Sequence, residues 1–161
     1  MVCDRPGAFA VSRASKAGVP SVVISPKLFK SRTDFERFIA RILKNQRVDV
    51  VVLAGFMRIL TPYFIRAFRN RVLNIHPSLL PDFKGAHAIE DAFKAGVKQT
   101  GVTVHLVTEN LDSGRVLARK IVPVLRSDTL RSLEIRIHRA EHRLYPAALQ
   151  KFIGGKKWQR F

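Results

Sequence analysis

Two side chains suited to carbonyl chemistry sit two residues apart, Asn74 and His76, in the stretch Val72-Leu73-Asn74-Ile75-His76-Pro77-Ser78-Leu79-Leu80-Pro81. The stretch opens as a short apolar run that reads as a strand, and strand side chains alternate faces, so the amide and the imidazole point the same way. An imidazole near neutral pH can pass a proton to a leaving nitrogen. A carboxamide can donate to an oxygen that turns negative as a carbonyl becomes tetrahedral. A carboxylate able to pair with the imidazole lies downstream at Asp112, in Glu109-Asn110-Leu111-Asp112-Ser113-Gly114. Amide, imidazole and carboxylate together read as one acyl-transfer site. The competing reading of His76, a buried histidine closing a strand, carries weight on spacing alone, because Asn-x-His is a short motif.

The other histidines carry less. His105 falls within a strand pattern and can face core or site; His87, His138 and His142 fall in helices. His138 and His142 are four apart but lack the Glu of a zinc-protease helix, so no metal is expected. No serine sits at a strand-to-helix elbow, and no Gly-rich phosphate loop of either common type is present.

The elements that must position these groups alternate helix and strand. Helix patterns run from Gly7 to Ala17, from Thr33 to Asn45, from Thr61-Pro62 to about Phe68, from Ala86 to Ala95, and through a last long helix capped by Asp128. Strand patterns run from Val19 to Ile24, Val48 to Leu53, Arg71 to Ile75, Gly101 to Val107 and Val116 to Val124, with a stub at 1–3. The Val48–Leu53 run is almost continuously apolar, as in a central parallel strand covered on both sides. The class is therefore α/β, a mostly parallel sheet flanked by helices in three layers. Ligands of such sheets bind beyond the carboxyl ends of the strands, where Asn74, His76 and, past another strand, Arg58 fall.

At 161 residues the chain suits one domain, read as 1–153 with a basic tail at 154–161. No apolar run is long enough to span a bilayer, and no secretory pattern opens the chain. The single cysteine, Cys3, excludes an internal disulfide and suits a reducing compartment, so the cytoplasm is expected. The 29 Lys and Arg against 12 Asp and Glu leave a formal charge of +17, which attracts anions of any kind. The basic residues are spread along the chain without an aromatic-basic signature, which argues against nucleic acid and for a solvated basic surface.

Five segments resemble one family in order and spacing: Ala54-Gly55-Phe56-Met57-Arg58-Ile59-Leu60, Leu73 to Pro81, Gly101-Val102-Thr103-Val104-His105, Leu111-Asp112-Ser113-Gly114, and Glu141-His142-Arg143-Leu144-Tyr145-Pro146. They look like the phosphoribosylglycinamide formyltransferases, over essentially Val2 to Ile153. The resemblance implies a formyltransferase-like, Rossmann-like fold. It implies a transferase of purine biosynthesis, with 10-formyltetrahydrofolate as cosubstrate and the amine of glycinamide ribonucleotide as acceptor. Asn74 and His76 match the catalytic pair, Asp112 matches the acid that raises the histidine's pKa, and His105 matches a histidine lining the site. Arg32, Met57, Arg58, Ile59, Leu60, Thr108, Glu109, Asn110 and Leu111, with Asn74 and Asp112, match folate-contacting positions. His138, Arg139, Ala140 and Glu141 match the segment that holds the ribonucleotide. The family also implies a cis Leu80-Pro81 bond and a monomer or homodimer.

The chain departs from the family at its start, where a strand and a Gly-Ser/Thr-Gly-Ser/Thr-Asn loop that binds the substrate phosphate are missing. The expectation is an N-terminal truncation of roughly thirty residues that costs the sheet a central strand. The other readings are a related folate-dependent formyltransferase or deformylase, or an inactive remnant that binds folate or nucleic acid.

Overall fold

The computed structural model describes residues 1–155 and divides them into two compact units: Met1–Val48 with Leu60–Ala67, and Asp49–Ile59 with residue 68 onward. The expected basic tail lies, from residue 156, outside the described residues; Gly154 belongs to the last helix and Gly155 caps it.

In the first unit, β1 (Val2–Cys3) and β2 (Val22–Val23) form a parallel pair around α1 (Phe9–Lys16). The strand expected over 19–24 is thus shortened to two paired residues. Helix α2 (Arg32–Asn45) starts on Ser31, whose hydroxyl accepts the Asp34 N–H at 3.1 Å and donates to the Asp34 carboxylate at 2.7 Å. The reciprocal pair satisfies an orphan amide of the first turn. Phe35, Ile39 and Ala40 are buried from its apolar stripe. Phe29 packs its ring edge-on to Phe35 and tilted against Phe38. Helix α3 (Pro62–Ala67) packs on α2 and is tied to it by Glu36, which is buried and accepts from both the N–H and the hydroxyl of Thr61. Sequence periodicity does not flag Glu36, because a carboxylate on a helix is ordinarily read as solvated.

The second unit holds a mixed four-stranded sheet in the order β3 (Val51–Val52), β4 (Val72–His76), β5 (Gln99–Leu106), β6 (Val116–Pro123). β3 and β4 are parallel; β4–β5 and β5–β6 are antiparallel. The α/β class is as the sequence indicates, but two of the three pairings here are antiparallel, because β5 runs against β4 on one side and against β6 on the other, to which it connects directly through the 107–115 loop with no crossover helix. β3 closes one end of this sheet and its Val52 is exposed, rather than being covered on both sides.

Helix α4 (Ala88–Lys94) and helix α5 (Leu130–Gly154) complete the unit. α5 is capped by Thr129, not Asp128: the Thr129 hydroxyl accepts the Ser132 N–H, and the Ser132 hydroxyl accepts the Thr129 N–H. Asp128 is occupied otherwise, accepting two 2.7 Å bonds from Arg136 and one from the Leu125 N–H. α5 lies on β5 and β6, where Leu133 and Ile137 pack on Val102 and Val122, and Ala148 and Phe152 pack on Leu73, Val104 and Leu106. Tyr145 reaches from α5 with its hydroxyl facing the carbonyls of Leu53, just past β3, and Leu73, within β4, at 2.8 and 2.9 Å. Burial pushes that phenol's pKa up, so it remains a donor.

Candidate active site

The α5 side of the sheet takes Leu73 and Ile75 from β4, and Val102, Val104 and Leu106 from β5. The intervening residues, Asn74 and His76 on β4 and Thr103 and His105 on β5, therefore face the other way. The antiparallel register sets Asn74 opposite His105 and His76 opposite Thr103. A shift in the β5–β6 register falls between Val104 and His105. This answers the question the sequence left open for His105, which shares a face with the catalytic candidates.

Two loops complete the cluster. The 77–82 loop is pinned to the sheet: Thr103 Oγ1 donates to the Ser78 carbonyl at 2.7 Å and accepts the Leu80 N–H at 3.1 Å, and Arg119 donates to the Leu80 carbonyl at 2.7 Å. The Leu80–Pro81 bond is cis. Residues 83–85 then close over the site. The Phe83 carbonyl accepts from His76 Nε2 at 2.8 Å, the Gly85 N–H donates to Asp112 Oδ2 at 3.1 Å, and Lys84 Nζ donates to Ser113 Oγ at 2.9 Å. The second loop, 107–115, carries Asp112. It returns so close to β5 that a Cβ on Gly114 would strike the Leu106 carbonyl, so only glycine fits there. Phe83 and Asp112 both take left-handed backbone, with φ of 50° and 47°. Such conformations in non-glycine residues gather at functional sites.

Asp112 Oδ2 lies 3.5 Å from His76 Nδ1, and its Oδ1 lies 3.6 Å from His105 Nε2. All three side chains are almost wholly buried, at 6%, 8% and 2% exposure for His76, Asp112 and His105. A buried carboxylate thus stands between two imidazoles. His76 donates Nε2–H to the Phe83 carbonyl, which leaves Nδ1 toward Asp112; a second proton on Nδ1 has an oxygen to meet. His105 donates Nδ1–H to the Leu106 carbonyl at 3.0 Å, which leaves Nε2 as an acceptor. Burial holds the His105 pKa below the ordinary histidine value and the nearby His76 ring lowers it further, against the opposing pull of the Leu106 carbonyl and Asp112. Neutral His105 then accepts one amide hydrogen of Asn74 at 3.4 Å.

The cluster unites Asn74, His76, His105 and Asp112. Of the folate-segment residues, Met57 and Ile59 are exposed apolar side chains, as is Leu111 beside Asp112. Thr108 bonds the Asn110 carbonyl, shaping the turn of the same loop that holds Glu109. Arg58 follows β3 in this unit, whereas Arg32 opens α2 in the first unit. Leu60 belongs to the first unit and its side chain is buried, so it presents no exposed apolar surface to a ligand. On α5, the His138 Nδ1–H reaches the Glu141 carboxylate at 2.7 Å; Arg139 is exposed, and Ala140 packs against the core at Leu133 and Ile137. Phe83 and Gly85 are contributors that sequence reasoning missed, since both act through backbone atoms, which leave no side-chain signal. Among the described residues no group of three or more His, Cys, Asp or Glu is placed to hold a metal ion. Among the described residues, no helix is long and apolar enough to cross a membrane.

A carboxamide and an imidazole facing a carboxylate on one sheet face are groups suited to acyl transfer, and the comparisons name the family. Residues 1–149 match the formyl transferase family, and the chain belongs to it. More narrowly, the chain is 40% identical over 154 residues to the phosphoribosylglycinamide formyltransferase of Bacillus subtilis, covering 96% of this chain and 79% of that one. It is 43% identical to the human trifunctional purine biosynthetic protein adenosine-3, but spans only 15% of that length. The corresponding span of the fruit-fly protein is 12%, at 45% identity. Among solved structures, the phosphoribosylglycinamide formyltransferase of Streptococcus pneumoniae superposes with a TM-score of 0.92 at 42% identity, covering 94% of this chain and 84% of that one. The glycinamide ribonucleotide transformylase 1 of Symbiobacterium toebii gives 0.93 at 43% identity, covering 99% and 76%.

Proposed function

We propose that this site moves a formyl group from 10-formyltetrahydrofolate to the primary amine of glycinamide ribonucleotide, a step of purine biosynthesis, in the cytoplasm. The observation that carries the reading is the convergence of Asn74, His76, His105 and Asp112 on one face of β4 and β5. Attack of the amine on the formyl carbon makes the new C–N bond and puts negative charge on the formyl oxygen. Asn74 Nδ2 carries two hydrogens; His105 takes one, and the other serves that oxygen. Such a donor contributes about 3–4 kcal/mol to the transition state. His76 takes the proton the amine loses, with Asp112 facing the resulting imidazolium, and returns it to the folate nitrogen as the old C–N bond breaks. Holding both reactants side by side removes much of the entropic barrier.

The exposed side chains of Met57, Ile59 and Leu111 suit the flat apolar faces of a pterin, and the loop that carries Leu111 offers backbone polar groups. Arg58 is assigned to the folate's carboxylates. The ribonucleotide is assigned to the α5 segment His138 to Glu141, with the Glu141 carboxylate, already oriented by His138, as its hydroxyl partner.

The test is incubation of the protein with both substrates. The expected products are formylated glycinamide ribonucleotide and tetrahydrofolate in equal amounts. Release of formate without a formylated amine would replace this reading with a deformylase, and turnover only with another amine would replace it with a related transferase.

A further inference from the structure

The reaction above leaves the charge of +17 without a use. Part of it is concentrated in the first unit, on a groove of about 580 Å³ lined by Phe29, Asp34, Arg37, Phe38, Arg41, Lys44, Asn45 and Tyr63. Arg37, Arg41 and Lys44 follow one another at four and three residues along α2, so they stand on one face and span roughly 10 Å of helix axis. None of the three has a carboxylate within ion-pair distance among the described residues. The groove's one acid, Asp34, is engaged by Ser31. Arg37 lies over the Tyr63 ring and Arg41 over the Phe38 ring, each at 5.3 Å. A guanidinium stacked in this way is held flat, with its N–H edge still free to fork onto a phosphate. The three rings come from three separate chain segments, which is why no aromatic-basic pattern is visible in the sequence.

We propose that this groove binds a nucleoside polyphosphate, with the phosphates on Arg37, Arg41 and Lys44 and the base against Phe29, Phe38 and Tyr63. Unpaired cations at this spacing select a chain of several negative charges, and aromatic walls select a flat ring attached to it. The volume is that of a small-molecule site. It accommodates one nucleotide rather than a strand, which would track past both ends of the helix face.

Calorimetric titration of the whole protein with ATP, inorganic tripolyphosphate, adenosine and a ten-residue oligodeoxythymidine tests this. Saturable ATP binding is expected, weakened at least tenfold by Arg37→Gln with Arg41→Gln, and about threefold by Lys44→Gln alone. Arg126→Gln with Lys151→Gln, which removes the same charge from elsewhere, should leave it unchanged. Circular dichroism confirms that each variant is folded, and the Lys44→Gln shift stands on its own if the double variant is not. Four results would overturn the proposal: no saturable ATP binding; tripolyphosphate binding as tightly as ATP; ATP binding indifferent to the α2 substitutions; or the oligonucleotide binding more tightly than ATP through the same residues, which would make the groove a nucleic-acid surface.

Discussion

Asn74 stands directly across the β4–β5 ladder from His105, and its amide nitrogen is 3.4 Å from His105 Nε2. In the proposed reaction this pairing gives His105 a task distinct from proton transfer, which is to aim the Asn74 carboxamide. His105→Ala should lower kcat by about 10- to 100-fold with little change in the KM for folate, because a rotated amide loses its transition-state bond and not a ground-state one. His105→Gln, which keeps an acceptor near the Nε2 position, should recover part of that rate. Steady-state kinetics on the two variants checks this.

The same histidine makes stability depend on pH. Its folded-state pKa lies below the ordinary value near 6.5, because burial disfavours the charged ring. The stability it supports is therefore complete above about pH 6.5 and is lost as pH falls through the lower folded-state value. Asp128, held well below the usual carboxylate range by Arg136, the Leu125 N–H and Ser132, contributes stability that is present above about pH 4 and lost only in stronger acid. Urea midpoints measured from pH 8 to pH 2 should show two falls, the first beginning below about pH 6.5 and the second below about pH 4. His105→Gln should remove the first and Asp128→Asn the second.

Lys84 and Ser113 latch the 83–85 loop to the loop that carries Asp112. Both side chains are solvent-accessible, so the bond is modest, on the order of 1 kcal/mol. Lys84→Ala and Ser113→Ala should each lower kcat about two- to fivefold, and the double variant should be no worse than either alone. A double-mutant cycle in kcat measures the coupling; strictly additive losses would separate the latch from the chemistry.

Glu36 closes the N-terminus of α3 from the neighbouring helix. Glu36→Ala leaves the buried N–H and hydroxyl of Thr61 without their acceptor, and should lower unfolding free energy by about 1–3 kcal/mol. Glu36→Gln keeps an acceptor oxygen and should cost less. Urea denaturation with an unchanged slope distinguishes this from altered compactness.

Periodicity and turn chemistry place most elements within a few residues, because α2, β4, β5 and α5 each bury one regular apolar stripe. Direction was harder to read. An apolar run such as Val48–Leu53 says that a strand is covered, but not which neighbours it pairs with, and the 107–115 return made β5 and β6 antiparallel. At the site, Asn74 and His76 were legible because alternation puts both on one face. The acceptor on His76 and the donor to Asp112 were not, since the Phe83 carbonyl and the Gly85 N–H belong to the backbone. Asp128 and Thr129 are both good caps in adjacent positions; the choice falls to Thr129 because Arg136, about two turns further on, takes the Asp128 carboxylate.

The central claim is that Asn74 and His76, with Asp112 facing the imidazole, perform the transfer itself. The most direct measurement is the turnover of Asn74→Ala and His76→Ala beside their affinity for 10-formyltetrahydrofolate, followed by the change in protein fluorescence on binding. The account predicts that kcat falls by about a hundredfold or more in each while the folate dissociation constant moves by less than about threefold. Turnover at the wild-type rate in either variant would contradict it.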